Sequence, residues 1–151
     1  MMAKQIGCEI FTTVGDDAKI ERVKALGAHH VINYRKDRFE GVVRRMTKKK
    51  GVDVVFEHVG ADTFPGSLLV LKRGGRLVTC GATSGPSSSI NLMQLYLQQY
   101  RIFGSFGATM KNIAESLDKM AGGVLPVIDT EVPIAEGARA LTRMESRQVF
   151  G

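Results

Sequence analysis

Residues 51–85 constrain the fold more than any other stretch. Gly51-Val52-Asp53-Val54-Val55-Phe56 is a short run rich in β-branched residues, as expected of a strand buried on both faces. Residues 64–72 follow as a helix, with Leu68, Leu69 and Leu71 on its apolar side. Gly74-Gly75 is placed to end it, because glycine takes the left-handed cap conformation without a steric penalty. A second apolar strand over residues 76–80 then runs into a loop bounded by Gly81 and Gly85. Strand, helix and strand of these lengths make a β-α-β unit.

The flanking sequence repeats the pattern. Residues 2–7 read as the end of a helix stopped by Gly7, and residues 8–14 as a strand. Asp16 or Asp17 caps a helix over 18–26, with Ile20, Val23 and Leu26 at helical spacing and Gly27 at its end. Residues 30–34 form a third strand. Residues 39–50 are amphipathic, with Phe39, Val42, Val43 and Met46 on one face. Beyond the central unit, a helix over 92–99 leads to a strand over 101–106. A helix over 111–120 carries Ile113, Leu117 and Met120 and stops at Gly122-Gly123. Residues 125–128 read as a short strand and 134–145 as a last helix, with Ala138, Leu141 and Met144 inward. Strands alternating with helices of about ten residues give an α/β fold with a doubly wound parallel sheet.

Composition narrows the function classes. The chain has 151 residues, 44% hydrophobic and 24% charged, which suits one globular domain rather than disorder. No apolar run approaches the ~18 residues of a membrane span, and the N-terminus lacks a signal-peptide pattern. Cys8 and Cys80 do not make a disulfide framework, so a cytoplasmic location is expected. The net charge of +6 raises nucleic acid as a partner. However, the cations cluster only at Arg44-Arg45 and Lys48-Lys49-Lys50, and the second cluster closes a helix, where cations complement the dipole. Without interleaved aromatics, neither nucleic acid nor membrane is an expected partner. The basic balance suits an anionic cofactor instead.

The ends carry a further expectation. A doubly wound dinucleotide fold begins with a strand, a G-x-G-x-x-G turn and a helix that holds the pyrophosphate. The sequence contains no G-x-G-x-x-G and opens in a helix without a preceding strand. In the strand order 3-2-1-4-5-6 that first strand would be central. At the other end, Val149-Phe150-Gly151 stops where another strand is expected. The chain reads as an incomplete dinucleotide-binding domain covering residues 1–151.

Several stretches carry a family likeness: Thr13-Val14-Gly15, Ala25-Leu26-Gly27-Ala28, Val31-Ile32-Asn33-Tyr34, Gly51-Val52-Asp53-Val54-Val55, Val59-Gly60, Gly74-Gly75-Arg76-Leu77-Val78, Gly81-Ala82-Thr83-Ser84-Gly85 and Ile102-Phe103-Gly104-Ser105. In that order and spacing, the chain resembles the cofactor-binding half of the medium-chain dehydrogenase/reductase superfamily. That group includes zinc-type alcohol dehydrogenases and quinone oxidoreductases. The resemblance implies a Rossmann-type domain holding a nicotinamide cofactor for hydride transfer to or from an alcohol, carbonyl or quinone-type substrate. It also implies a separate catalytic domain, not in this chain, that carries any zinc ligands.

The resemblance further implies site residues at the carboxyl ends of the strands. NAD-preferring members place an acid at the end of the second strand; here that position is Val14, followed by Gly15. Lys19 and Tyr34 fall where NADPH-using relatives put a cation and a phenol near the 2′-phosphate. NADP(H) is therefore expected ahead of NAD(H), with Asp16 and Asp17 as the features opposing it. The bland alternative makes Lys19 a solvated helix residue and Tyr34 a strand-end aromatic. Val59 and Gly60 close one strand, and Gly81, Ala82 and Thr83 follow the next; either pair of loops serves a ligand or simply turns the chain. Phe103 and Gly104 lie where the family places its nicotinamide and also pairs subunits.

No catalytic residue is expected in this chain. Glu57-His58 is a formal acid–base pair, with His58 more readily a pocket-lining residue. His29-His30 reads as loop or strand edge, because three histidines without clustered partners make a poor zinc site. Two alternatives stand beside the oxidoreductase reading: a non-catalytic nucleotide-binding or assembly module, and a different doubly wound protein such as a methyltransferase. A homo-oligomer formed through exposed sheet edges is expected.

Overall fold

A computed structural model describes residues 1–150, in two compact units: residues 3–107, and residues 108–150 together with Met1 and Met2. The larger unit contains five short parallel strands. Helix α1, Met2–Gln5, ends at Gly7, whose φ of +76° lets its N–H reach the Lys4 carbonyl. Strand β1 is Phe11–Val14, and Cys8 lies exposed ahead of it. The Asp16 side chain caps a 3-10 turn, Asp17–Lys19, by accepting from the Ala18 N–H, and helix α2, Ile20–Ala25, continues from it. Strand β2, His30–Asn33, returns parallel to β1.

The second sheet is built by helix α3, Phe39–Met46, strand β3, Val52–Glu57, helix α4, Phe64–Leu69, strand β4, Leu71–Thr79, helix α5, Leu92–Leu97, and strand β5, Arg101–Gly104. Its order is β3-β4-β5, all parallel. Two sheets, β1-β2 and β3-β4-β5, thus stand where one was expected. The hydrogen-bond ladder is interrupted between β1 and β3, which is where the order 3-2-1-4-5-6 places its central strand. Apolar packing joins the sheets instead. Ile32, Val43 and Val70 form a buried cluster, with Phe11 of β1 and Val52 and Val55 of β3 against it. A second cluster, Leu68, Leu71 and Leu77, lies under α4, with Leu77 wholly buried.

The central unit departs from expectation in one respect. Helix α4 closes at Leu69, and Leu71 is already paired with Val52. Residues 72–75 then loop out opposite Asp53 before Arg76 pairs with Val54. Gly74 does adopt a left-handed φ of +72°, but inside this bulge and not as a helix cap. Gly51 fixes the start of the unit: at φ +85°, an added Cβ would lie 2.6 Å from the Val70 carbonyl oxygen.

The β3-β4-β5 sheet has two unlike faces. Val55, Leu77 and Ile102 share the covered face, with Glu57 and Thr79 in the next register row. Phe56, Val78 and Phe103 share the other, where Phe56 is 69% exposed.

In the smaller unit, helix α6, Met110–Ala121, begins with a reciprocal Thr109–Asn112 capping box, and helix α7, Gly137–Glu145, follows a 3-10 turn at Ile134–Glu136. The strand expected over 125–128 does not form. No other strand exists among the described residues of this unit to pair with it, and Pro126 has no N–H to donate.

Candidate functional site

The carboxyl ends of the strands collect the expected site residues into two groups. The first lies after β1 and β2. The Tyr34 N–H donates to the Val14 carbonyl at 3.0 Å, which brings the two strand ends together. Tyr34 lies directly over Gly15, where an added Cβ would be 2.6 Å from the phenolic oxygen. Lys19 ends the 3-10 turn that follows β1.

The two opposing carboxylates are already engaged. Asp16 caps the turn, and Asp17 accepts from the Asn33 side chain at 2.6 Å and pairs with Lys36. These contacts, Asn33 first, hold the Asp17 carboxyl below its ordinary range. The Lys36 ammonium is raised in turn by Asp17. Asn33 is buried and also accepts from the Arg35 N–H at 3.0 Å. Sequence reasoning missed this Asn33–Asp17–Lys36 chain, because its members lie up to nineteen residues apart. This edge thus carries a phenol and lysines beside carboxylates that are already engaged, a composition that suits an anionic group.

The second group lies after β3 and β4, where two loops are laced together. Ser84 donates both its N–H, at 2.7 Å, and its hydroxyl, at 2.9 Å, to the Val59 carbonyl. The Ala61 N–H reaches the Gly85 carbonyl at 3.2 Å, and the Thr83 hydroxyl the His58 carbonyl at 3.4 Å. Two glycines permit this approach. A Cβ on Gly60, at φ +99°, would lie 2.7 Å from the Gly85 oxygen, and one on Gly81 would lie 2.7 Å from the His58 oxygen. Gly60 and Gly81 are therefore required by loop-to-loop packing, whatever else they do. Ala82 and Thr83 remain exposed on the outer side. Gly104 pairs with Thr79 at the same edge, and a Cβ there would meet open space.

Glu57 holds this second group in shape. It is 3% exposed, and its carboxylate accepts from the N–H of Val59 at 2.7 Å and of Gly60 at 3.2 Å. The Thr63 hydroxyl donates at 2.9 Å and the Ser67 hydroxyl at 2.5 Å. Burial pushes its pKa up, but the hydrogen bonds, Ser67 foremost, outweigh burial and hold it below the ordinary glutamate value. A carboxylate so fully engaged is a structural anion, not a general base. The sequence signal was present in Glu57, Thr63 and Ser67, whose spacing suits a strand end facing the first turn of a helix. His58 is exposed. His29 accepts from the Ile10 N–H at 3.0 Å, and His30 contacts Glu9 and stacks on Phe11, as strand-edge residues do.

Known proteins share this fold. The family model described as zinc-binding dehydrogenase matches residues 1–122. The quinone oxidoreductase of Salmonella typhimurium is 33% identical over 162 aligned positions, covering 99% of this chain and 49% of that protein. Among solved structures, an NAD-dependent alcohol dehydrogenase superposes with a TM-score of 0.86 at 33% identity, covering 99% of this chain and 44% of its own. Escherichia coli quinone oxidoreductase complexed with NADPH gives 0.82 at 30% identity, covering 99% and 50%. The chain thus spans about half the length of the relatives it matches. Zinc, which the family description implies, finds no fit here: among the described residues, no three His, Cys, Asp or Glu side chains converge.

Proposed function

The chain belongs to the zinc-binding dehydrogenase family, and from that premise we propose that it is the nicotinamide-dinucleotide-holding part of an oxidoreductase. The observation that carries the proposal is the packing of Tyr34 over Gly15 after β1 and β2, with Lys19 in the turn that follows β1, and the gathering of Val59, Gly60, Gly81, Ala82 and Thr83 in the loops after β3 and β4. Ligands of open parallel sheets bind at such edges. Lys19 and Tyr34 take the adenosine end and its 2′-phosphate, with Asp17 held off by Asn33 and Lys36. The laced loops form a firm floor for the ribose and nicotinamide, and Phe103 and Gly104 flank it. When bound, the cofactor supplies or accepts hydride; this chain binds and orients it. The substrate of the whole protein is of the alcohol, carbonyl or quinone type.

Support for NADP(H) over NAD(H) is the absence of a carboxylate at Val14-Gly15 and the similarity to an enzyme crystallised with NADPH. The similarity to an NAD-dependent alcohol dehydrogenase favours the second reading, NAD(H). Calorimetric titration with both cofactors separates them. NADPH is expected to bind at least about tenfold tighter than NADH, as loss of one charge-assisted contact implies, and Lys19→Ala is expected to erase the difference. Equal affinities, or a preference untouched by Lys19→Ala, overturn the NADP(H) assignment. A folded chain that binds neither supports the reading of a non-catalytic assembly module. Oligomerisation through the sheet belongs to the same proposal.

A further inference from the structure

A second concave site lies at the opposite edge of the β3-β4-β5 sheet. It is a pocket of about 330 Å³, within the size range of small-ligand sites. Most of its residues come from the amino ends of strands or the segments leading into them. Lys49 and Lys50 precede β3, Leu69 and Leu71 flank the entry to β4, Arg73 stands in the bulge, and Tyr100 precedes β5. Arg44 of α3 and Gln94 and Gln98 of α5 complete the lining. Because the strands are parallel, this edge is one strand length, roughly 20 Å, from the loops after β3 and β4. It belongs to a different site.

The charge of the pocket is one-sided. Four of its lining residues are cations and none is a carboxylate. Lys72 beside it pairs with Asp53, but among the described residues Arg44, Lys49, Lys50 and Arg73 form no ion pair, nor do the adjacent Arg45 and Lys48. Arg44 is oriented by donating from Nη1 to the Leu69 carbonyl at 3.1 Å. The lysines are held by an unusual turn: Lys48 and Lys49 both have positive φ, at 51° and 67°, a conformation uncommon for residues with side chains. That turn is tied by the Lys49 N–H to Arg44 and the Gly51 N–H to the Thr47 hydroxyl. Like charges converging on a concave surface repel one another unless an anion lies between them.

We propose that this pocket binds a small anion carrying two or more linked phosphate groups. Arg44 and Arg73 supply planar donors suited to phosphate oxygens, Lys49 and Lys50 supply point charges, and Gln94 and Gln98 supply neutral amides. Leu69, Leu71 and the Tyr100 ring give one apolar wall. The small volume and the single aromatic residue favour a small phosphate over a nucleic-acid strand, which uses a row of stacking rings along a groove.

The test is calorimetry of the full chain with sodium tripolyphosphate at low ionic strength, with amide shifts followed by NMR. Saturable 1:1 binding is expected, with shifts at Arg44, Lys49, Lys50 and Arg73. The double variant Lys50→Gln/Arg73→Gln is expected to bind at least about tenfold more weakly, as loss of charge-assisted contacts implies. The Lys111→Gln/Lys119→Gln variant, with the same change in net charge, and Lys19→Ala are expected to bind as the parent does. The proposal is overturned by absence of saturable binding, by equal weakening in both double variants, or by loss in Lys19→Ala. It is also overturned if a single-stranded oligonucleotide displaces tripolyphosphate at lower concentration, which would assign the pocket to nucleic acid. Should the Lys50/Arg73 variant fail to fold, the NMR shifts on the parent chain decide: shifts confined to the carboxyl edge refute the pocket.

Discussion

Single side chains decide how rigid the carboxyl edge is, and Glu57 decides most. Four donors converge on its buried carboxylate. Glu57→Gln keeps the shape but turns an NH₂ toward those donors. It is expected to lower stability by about 2 kcal/mol, in line with the loss of hydrogen bonds to a buried charge, measured by urea unfolding at pH 7. The sign of the pH dependence follows from the depressed pKa. The stabilisation is complete above the unfolded value, about 4.3, and is lost as pH falls through the lower folded value. The stability difference between parent and Glu57→Gln is therefore expected to shrink from pH 6 to pH 3; a constant difference would mean that Glu57 is not ionised in the fold. The spacing of Glu57, Thr63 and Ser67 permitted this role in the sequence without selecting it, because Glu57-His58 is also formally compatible with an acid–base pair. Only the fold shows the Thr63 and Ser67 hydroxyls turned onto the carboxylate. Tyr34 and Gly15 were legible as strand-end residues, whereas the engagement of Asp17 by Asn33 and Lys36 depends on the pairing of β1 with β2.

At the level of elements, two glycines separate conformation from packing. Gly51 and Gly74 both have positive φ, but a Cβ on Gly51 would meet the backbone of residues 70–72 at 2.6–2.7 Å, while one on Gly74 meets nothing within 4 Å. Gly74→Ala is expected to destabilise by about 1 kcal/mol, the conformational cost alone. Gly51→Ala adds backbone displacement at the β3–β4 crossover and is expected to exceed about 3 kcal/mol. Denaturant titration of the two variants checks this; equal losses would refute the packing assignment at Gly51. The same pair shows what sequence patterns reveal. Glycine punctuation and β-branched runs located β3, α4 and β4. The bulge at 72–75 was not legible, because a glycine pair suits a helix cap and a strand irregularity equally. Residues 125–128 mark another limit. Apolar character suits a strand, but a strand also needs a partner with free backbone groups.

On the scale of the whole molecule, the sheet presents apolar surface that a solitary chain leaves in water. Phe56, Val78 and Phe103 lie side by side across three strands, with Val54 on the same face and β3 and β5 as outer strands. Phe56, Val54 and Phe103 are 69%, 48% and 47% exposed. Each side chain is worth roughly 1.5–3 kcal/mol when fully buried, so a contact covering this row in two copies outweighs part of the entropy cost of association. Unpaired outer strands add backbone groups able to extend a sheet across copies. The 151-residue chain is therefore expected to associate in a concentration-dependent way at tens of micromolar, the range that a few buried aromatics support. Sedimentation velocity between about 5 and 100 μM would show a rising weight-average coefficient. Phe56→Lys puts a charge at one end of the row without touching the covered face, and Phe103→Lys does the same at the other end, two strands away. Each is expected to weaken self-association by at least about tenfold, as burying an unpaired charge implies, while leaving the unfolding free energy within about 0.5 kcal/mol of the parent, as for exposed substitutions. Association unchanged in both variants would move the contact to the strand edges alone, and a parent that stays monomeric across the range would remove self-association from the properties of this chain.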